Sequence, residues 1–215
     1  MAITVFMVDD HALVRTGLRM ILSGEADIEV IGEADTGEDA LPQIRKLKPD
    51  VVLCDLHLPG ISGLEVTERV VRGNYGSRVI VVSVLDDGPL PKRLIEVGAA
   101  GYVGKGGDAA ELVRAVREVA HGRRYLGSSV AQNMALAGLD GGTTPFDALT
   151  DREVEVAMLL VQGLRQQDIA ARLSLSPKTI NTHKARLFEK LGVQDNIALT
   201  RLLARYGLVD PAHAM

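Results

Sequence analysis

Val51-Val52-Leu53-Cys54-Asp55-Leu56-His57-Leu58-Pro59-Gly60 is the stretch that decides the fold. A short, continuous apolar run reads as a strand covered on both faces. It ends in a carboxylate, which is costly at the end of a buried strand unless something there needs it. In open α/β sheets, ligands bind at the C-terminal ends of the strands. A second apolar run, Ile3 to Val8, ends in two more acids, Asp9 and Asp10. Three carboxylates at two neighbouring strand ends predict a divalent cation site with one carboxylate to spare for chemistry.

The same alternation continues outward. Further strands are expected at Ile28–Gly32, Val79–Val82 and Gly101–Val103. Val14, Leu18, Ile21 and Leu22 fall on one face of a helix between the first two strands. Thr36–Leu47, Ser62–Arg72, Pro89–Val97 and Asp108–His121 supply the helices after the other strands. Five β-then-α units in about 120 residues predict a doubly wound parallel sheet.

From Gly127 to Leu149 the pattern changes. Ser128–Ala137 is a candidate short helix, and Gly138 to Pro145 is rich in turn residues with little to pack. Beyond it everything reads as helix. Thr150 and Glu153 have capping-box spacing, opening a helix that stops near Gly163. Gln166–Leu173 follows, then the break Ser174-Leu175-Ser176. Ser176 caps a third helix, Pro177 suits its first position, and it runs through Leu191. A last helix, Asn196–Tyr206, aligns Leu199, Leu202, Leu203 and Tyr206 on a stripe that serves either as core or as a dimer seam. Four helices with a tight turn between the second and third form a helix-turn-helix arrangement.

The chain of 215 residues is 47% hydrophobic, enough for two ordinary domains with real cores. No apolar run reaches the ~18 residues of a membrane helix. The start at Met1-Ala2-Ile3-Thr4 has no basic leader, and the single Cys54 forms no internal disulfide, so a reduced cytoplasmic setting is expected. The net charge of −4 is uneven. Thr150 to Met215 carries nine Lys/Arg against seven Asp/Glu, and Arg172–Lys190 has five basic residues against Glu189 alone. An acidic first part joined to a locally basic second part fits a regulator joined to a nucleic-acid reader.

Asp9, Asp10, Asp55, Ser83 and Lys105 all lie at or just past predicted strand ends, which converge in a doubly wound fold. Such a set suits phosphoryl transfer to a carboxylate. An Asp can be the nucleophile, Mg²⁺ held by carboxylates neutralises phosphoryl oxygens, and a Lys adds a point charge. Taken singly, Asp9 and Asp10 also read as helix N-terminal acids, and Lys105 as a surface lysine. His11 and His57 beside three acids leave a zinc alternative open.

Val8-Asp9-Asp10-His11, the Asp55-Leu56-His57-Leu58-Pro59-Gly60-Ile61-Ser62-Gly63 loop, Ser83, and Gly98-Ala99-Ala100-Gly101-Tyr102-Val103-Gly104-Lys105 resemble the receiver domain of two-component response regulators. The resemblance implies Asp55 as phosphoacceptor, with Asp9, Asp10, Asp55 and the His57 backbone carbonyl holding Mg²⁺. It implies that Ser83 and Lys105 bind the phosphoryl group and that Tyr102 is the aromatic that swings inward with Ser83. It also implies no catalysis beyond the receiver's own phosphorylation and dephosphorylation. An aspartate-based phosphatase would commonly need an acid where His57 stands. The chain departs from the family at Gly106-Gly107, where many receivers have a cis proline, so a looser Lys105 loop is expected.

Leu149-Thr150-Asp151-Arg152-Glu153, Gly163, Asp168-Ile169-Ala170 and Ser176-Pro177-Lys178-Thr179-Ile180-Asn181-Thr182-His183 resemble the LuxR/NarL-type DNA-binding domain. That resemblance implies a third helix in the major groove, with Asn181, Thr182 and Ala185 facing base edges. Lys178, Thr179, Lys184 and Arg186 would hold phosphates or flanking bases. Ile169, Ile180, Leu187 and Leu191 are the expected core. Leu175 to Thr182 and Phe188-Glu189-Lys190-Leu191 further resemble the GacA/UvrY-type regulators. That subgroup implies a hybrid sensor histidine kinase as partner and genes for small regulatory RNAs among the targets.

The expected architecture is therefore α/β plus all-α: a (βα)5 receiver over residues 1–122, a linker over 123–148, and a four-helix LuxR-type helix-turn-helix domain over 149–211. The expected function is a response regulator whose phosphorylation controls homodimerisation and binding to double-stranded DNA, with no membrane attachment. The alternative is a DNA-binding regulator controlled through protein contacts of the receiver, independently of phosphorylation.

Overall fold

A computed structural model of the chain describes residues 2–56, 58–59, 61–84, 89–139, 145–173 and 175–205. Two compact units divide it, the first comprising Met1–Asp86 with Leu90–Met134, the second Asp87–Pro89 with Ala135–Met215.

In the first unit, six parallel strands form one sheet in the order β2-β1-β3-β4-β5-β6. They are β1 (Ile3–Val8), β2 (Ile28–Ala34), β3 (Val51–Asp55), β4 (Arg78–Ser83), β5 (Gly101–Gly104) and β6 (Tyr125–Leu126). Helices α1 (Ala12–Ser23), α2 (Gly37–Leu47), α3 (Gly63–Gly73), α4 (Pro89–Val97) and α5 (Ala109–Ala120) make the crossovers. Val5 to Val8 and Val51 to Cys54 are buried, which is why these strands read as unbroken apolar runs. Leu18 and Leu22 of α1 pack with Val5, Met7, Val51, Leu53, Ile80, Val116 and Val119 in one core. The chain moves outward from β1 to β2, then returns past β1 to β3. Strand order therefore reverses between β1 and β3, the place where such sheets open a crevice.

Local chemistry sets the helix starts. Thr36, Ser62 and Asp108 accept from the backbone N–H of Asp39, Glu65 and Ala110 respectively. Past α5, the described residues of the expected linker over 123–148 carry elements of their own. Its first residues form β6 on the edge of the sheet, with Tyr125 N donating to Ala100 O at 3.0 Å and Gly127 N to Tyr102 O at 2.8 Å. Helix α6 (Ser128–Leu139) follows and crosses the boundary between the units. A two-residue strand carries no periodicity, so only its partner strand reveals it. Most of the turn-rich segment Gly138 to Pro145 lies outside the described residues.

The second unit begins its packing with a 3-10 turn at Pro145–Ala148, whose Phe146 is buried, slightly before the expected boundary at Leu149. Helices α7 (Asp151–Val161), α8 (Gln166–Arg172), α9 (Pro177–Leu191) and α10 (Asn196–Arg205) complete it. The capping box at Thr150 and Glu153 is present, and Ser176 Oγ accepts from Thr179 N at 3.1 Å. Ile169, Ile180, Leu187, Leu199 and Leu203 form buried anchors, while Leu191 and Leu202 are half-buried. Tyr206, expected on the α10 stripe, lies outside the described residues.

Candidate functional site

The strand order brings Asp9 and Asp10, just past β1, beside Asp55 at the end of β3. Asp9 and Asp55 are buried to 2% and 3% exposure. Lys105, one residue past β5, reaches both: its Nζ lies 2.8 Å from Asp9 Oδ2 and 3.0 Å from Asp55 Oδ2. The Lys105 backbone N–H donates to Ser83 O at 2.7 Å, which fixes the loop against β4 despite Gly106-Gly107. Two buried carboxylates without this ammonium would be strongly unfavourable neighbours. Burial works against the Lys105 charge, but Asp55 and Asp9 more than offset it and hold its pKa above the ordinary lysine value.

Donor atoms of Asp9, Asp10, His11 and Asp55 all lie within 4.8 Å of one another. Asp10 Oδ1 is buried and accepts no hydrogen bond, although His11 Nδ1 stands 2.7 Å away. Asp9 Oδ1 accepts from the His11 backbone N–H at 2.8 Å. Carboxylate oxygens gathered this closely, one of them buried with an ion-pair contact to His11 but no hydrogen bond, fit a divalent cation that favours carboxylates. The acidic pocket is thus compatible with a divalent metal. His11, which the sequence associated only with a zinc alternative, joins this group with its side chain 55% exposed. His57, whose carbonyl was expected as a ligand, lies outside the described residues.

Ser83 and Tyr102, from β4 and β5, are fully buried. Cys54 is buried as well, with Sγ 3.3 Å from Asp55 O, and burial pushes its thiol pKa far up, so it stays neutral. Two contributors escaped the sequence reading. Arg15 of α1 donates from Nη1 to Asp9 O, pinning the turn after β1. Gly63 opens α3 against the Asp55 backbone, where a Cβ would stand 1.9 Å from Asp55 O. The motif Ser62-Gly63 was visible, but the reason for the glycine is a contact between segments.

The other predicted site lies on α9. Lys178, Asn181, Thr182, Ala185 and Arg186 are exposed, whereas Thr179 and Lys184 are half-buried. Thr182 Oγ1 donates to Lys178 O at 3.1 Å, and Lys184 Nζ stands 5.0 Å over the Phe188 ring. Ile180 and Leu187, on the opposite side of the helix, are buried. At its far end, Lys190 Nζ lies 2.7 Å from Glu153 Oε2, which also accepts from Thr150 N at 2.7 Å. That bridge joins the start of α7 to the end of α9 and was not foreseen. The exposed face is the solvent side of a rigidly seated helix.

Known proteins match both halves. Residues 5–117 match the response regulator receiver domain, and 147–203 match the bacterial regulatory proteins of the luxR family. Response regulator GacA of Pseudomonas aeruginosa is 44% identical over 98% of this chain and 99% of its own. Response regulator UvrY of Escherichia coli is 42% identical over 97% of this chain and 96% of its own. A solved structure of RcsB from Salmonella enterica serovar Typhimurium, bound to promoter rprA in the presence of phosphomimetic BeF3-, is 26% identical. It covers 95% of this chain and 99% of its own, with a TM-score of 0.70. Among the described residues no helix is long and apolar enough to cross a membrane. The chain belongs to the two-component response regulators that join a receiver domain to a LuxR-type DNA-binding domain.

Proposed function

We propose that Asp55 is the phosphoacceptor of a switch that controls DNA binding by α9. The observation that carries this reading is the placement of Lys105 between the buried carboxylates of Asp9 and Asp55. An Asp55 carboxylate oxygen attacks phosphorus in a phosphohistidine or a small phosphodonor. The bond to the donor breaks and its electron pair leaves with the donor, so no general base is needed. Asp9, Asp10, Asp55 and the His57 carbonyl would hold Mg²⁺, which supplies positive charge against the phosphoryl oxygens when bound. Lys105 gives up its carboxylate partners for the phosphoryl group, and the Ser83 hydroxyl donates to it. Tyr102, expected to swing inward on activation, is already fully buried in this structure, so in the phosphorylated form it is held inward with Ser83 rather than moved there. The acyl phosphate is later lost to water within the receiver itself.

The donor is a sensor histidine kinase of the hybrid type and the setting is cytoplasmic; the likeness to the response regulators GacA and UvrY supports a place in a two-component pair. The RcsB structure, bound to a promoter in the presence of a phosphomimetic, supports reading of double-stranded DNA by the phosphorylated form, here as a homodimer. There Asn181, Thr182 and Ala185 would meet base edges, while Lys178, Thr179, Lys184 and Arg186 hold the backbone.

The test compares wild type with Asp55→Asn, each with and without phosphodonor and Mg²⁺. Wild type is expected to incorporate phosphate, dimerise in light scattering and bind DNA more tightly, while Asp55→Asn does none of these. Phosphorylation without any gain in dimerisation or DNA affinity would sink the switch and favour control through protein contacts of the receiver.

A further inference from the structure

Glu111, in the first turn of α5, stands between the loop after Lys105 and the start of α6. Its Oε1 accepts from Ser128 N at 2.8 Å and from Ser128 Oγ at 2.7 Å. It thereby supplies the cap that the α6 N-terminus needs. Its other oxygen occupies space that two glycines from separate segments leave open. A Cβ on Gly107 would lie 2.9 Å from Glu111 Oε2, and one on Gly127 would lie 3.3 Å from it. Gly107 is two residues beyond Lys105, and its N–H donates to Gly104 O at 3.0 Å. The segment before α6 is held from the other side by Tyr102, whose carbonyl accepts from Gly127 N at 2.8 Å. The path from the acidic pocket to the linker helix is therefore short: Lys105, Gly107, the Glu111 carboxylate, Ser128.

We propose that Glu111 is a coupling residue that ties the position of the Lys105 loop to the N-terminus of α6. Resting on the Asp55 reading above, it carries the receiver's phosphorylation state into the helix that leads toward the DNA-binding unit. The Lys105 backbone stays tied to Ser83 O, but past that anchor Gly106 and Gly107 have no side chains to brace the chain, so this stretch can adjust when the Lys105 ammonium turns from Asp9 and Asp55 to the phosphoryl group. The Glu111 carboxylate, lying against Gly107, then shifts or loses its grip on Ser128. Either way the first turn of α6 changes its order or direction while β6 stays paired.

The experiment uses the full chain as wild type, Glu111→Ala, Glu111→Gln and Ser128→Ala. Asp55 phosphorylation is read by mobility shift, and the first turn of α6 by amide hydrogen exchange. DNA binding is read with a labelled duplex selected from a random pool by phosphorylated wild type. Glu111→Ala is expected to be phosphorylated to the wild-type extent. Its amides near Ser128 should exchange at least tenfold faster and no longer respond to phosphorylation. The phosphorylation-dependent gain in DNA affinity should shrink at least fivefold. Ser128→Ala, which keeps the backbone bond, should lie between, and Glu111→Gln should restore part of the gain. If Glu111→Ala does not fold, Ser128→Ala decides in its place, because it keeps the helix intact. A full wild-type gain in Glu111→Ala, or in Ser128→Ala where Glu111→Ala does not fold, overturns the coupling and leaves the switch standing. A phosphorylated wild type that gains nothing overturns both.

Discussion

The acidic pocket and the α9 face place their polar groups in opposite surroundings. Asp9, Asp55 and Ser83 are buried at strand ends, and Lys105 has only a narrow exposed edge. Asn181, Thr182, Ala185 and Arg186 stand in solvent on a helix whose other side is anchored by Ile180 and Leu187. On the proposed function, the contrast follows from what each has to do. Phosphoryl chemistry needs charges strengthened by low dielectric and held without reorganisation. Groove reading needs side chains that the folded unit leaves unsatisfied until a nucleic acid supplies the partners. In the first region function and packing share residues, and in the second they occupy opposite faces of one helix.

If that separation holds, core and function come apart in the second unit. Ile180→Ala should cost about 2–5 kcal/mol, the usual range for a fully buried aliphatic truncation. Thermal unfolding should show the second unit melting early while Asp55 phosphorylation persists. Loss of phosphorylation in that variant would break the division. In the first unit the two cannot be parted so cleanly. Gly63→Ala places a Cβ against Asp55 O and should destabilise by about 1–3 kcal/mol, as overpacking does. Calorimetry and phosphate incorporation should fall together, and a stable but unphosphorylated protein would sharpen the case for Gly63 as a placement device alone.

On the exposed face, Asn181→Ala should cost about 1–3 kcal/mol of discrimination between duplexes with little change in melting temperature. Lys178→Ala should weaken all duplexes alike and lower the slope of log affinity against log salt by roughly one. Equal sequence preference in wild type and Asn181→Ala would remove that residue from base reading.

The smallest expected effect concerns the bridge between the faces. Burial raises the Glu153 pKa, but Lys190 and Thr150 outweigh it and hold the carboxyl below its ordinary value of 4.5. A depressed folded pKa contributes stability above the unfolded value and loses it as pH falls through the folded one. The second unit should therefore weaken as pH drops below about 4.5, and Lys190→Met should flatten that dependence while costing about 1 kcal/mol near neutrality. An unchanged acid transition in Lys190→Met would remove the bridge from the stability of this unit.

How much was legible depended on range along the chain. Thr36, Ser62, Asp108, Thr150 and Ser176 were readable as helix starts because a cap acts on an N–H two or three residues ahead. The apolar runs of β1 and β3 were readable because burial on both faces removes alternation. Strand ends proved slightly longer than expected, since Asp55 and Ser83 are still paired with β4 and β5. The clustering of Asp9, Asp10, Asp55 and Lys105 followed from the βα repeat, while the entry of His11 and the Glu153–Lys190 bridge did not.

The sequence by itself determined the order of elements, their caps, the two units and the residue types that converge at the strand ends, because these rest on short-range periodicity and propensity. The tertiary structure alone decided that Lys105 spans Asp9 and Asp55, that Gly63 must lack a side chain, that Tyr125–Leu126 extends the sheet, and that Glu111 meets Ser128. Each of these is a contact between segments brought together by the parallel sheet, and such contacts leave no local period for a sequence to display.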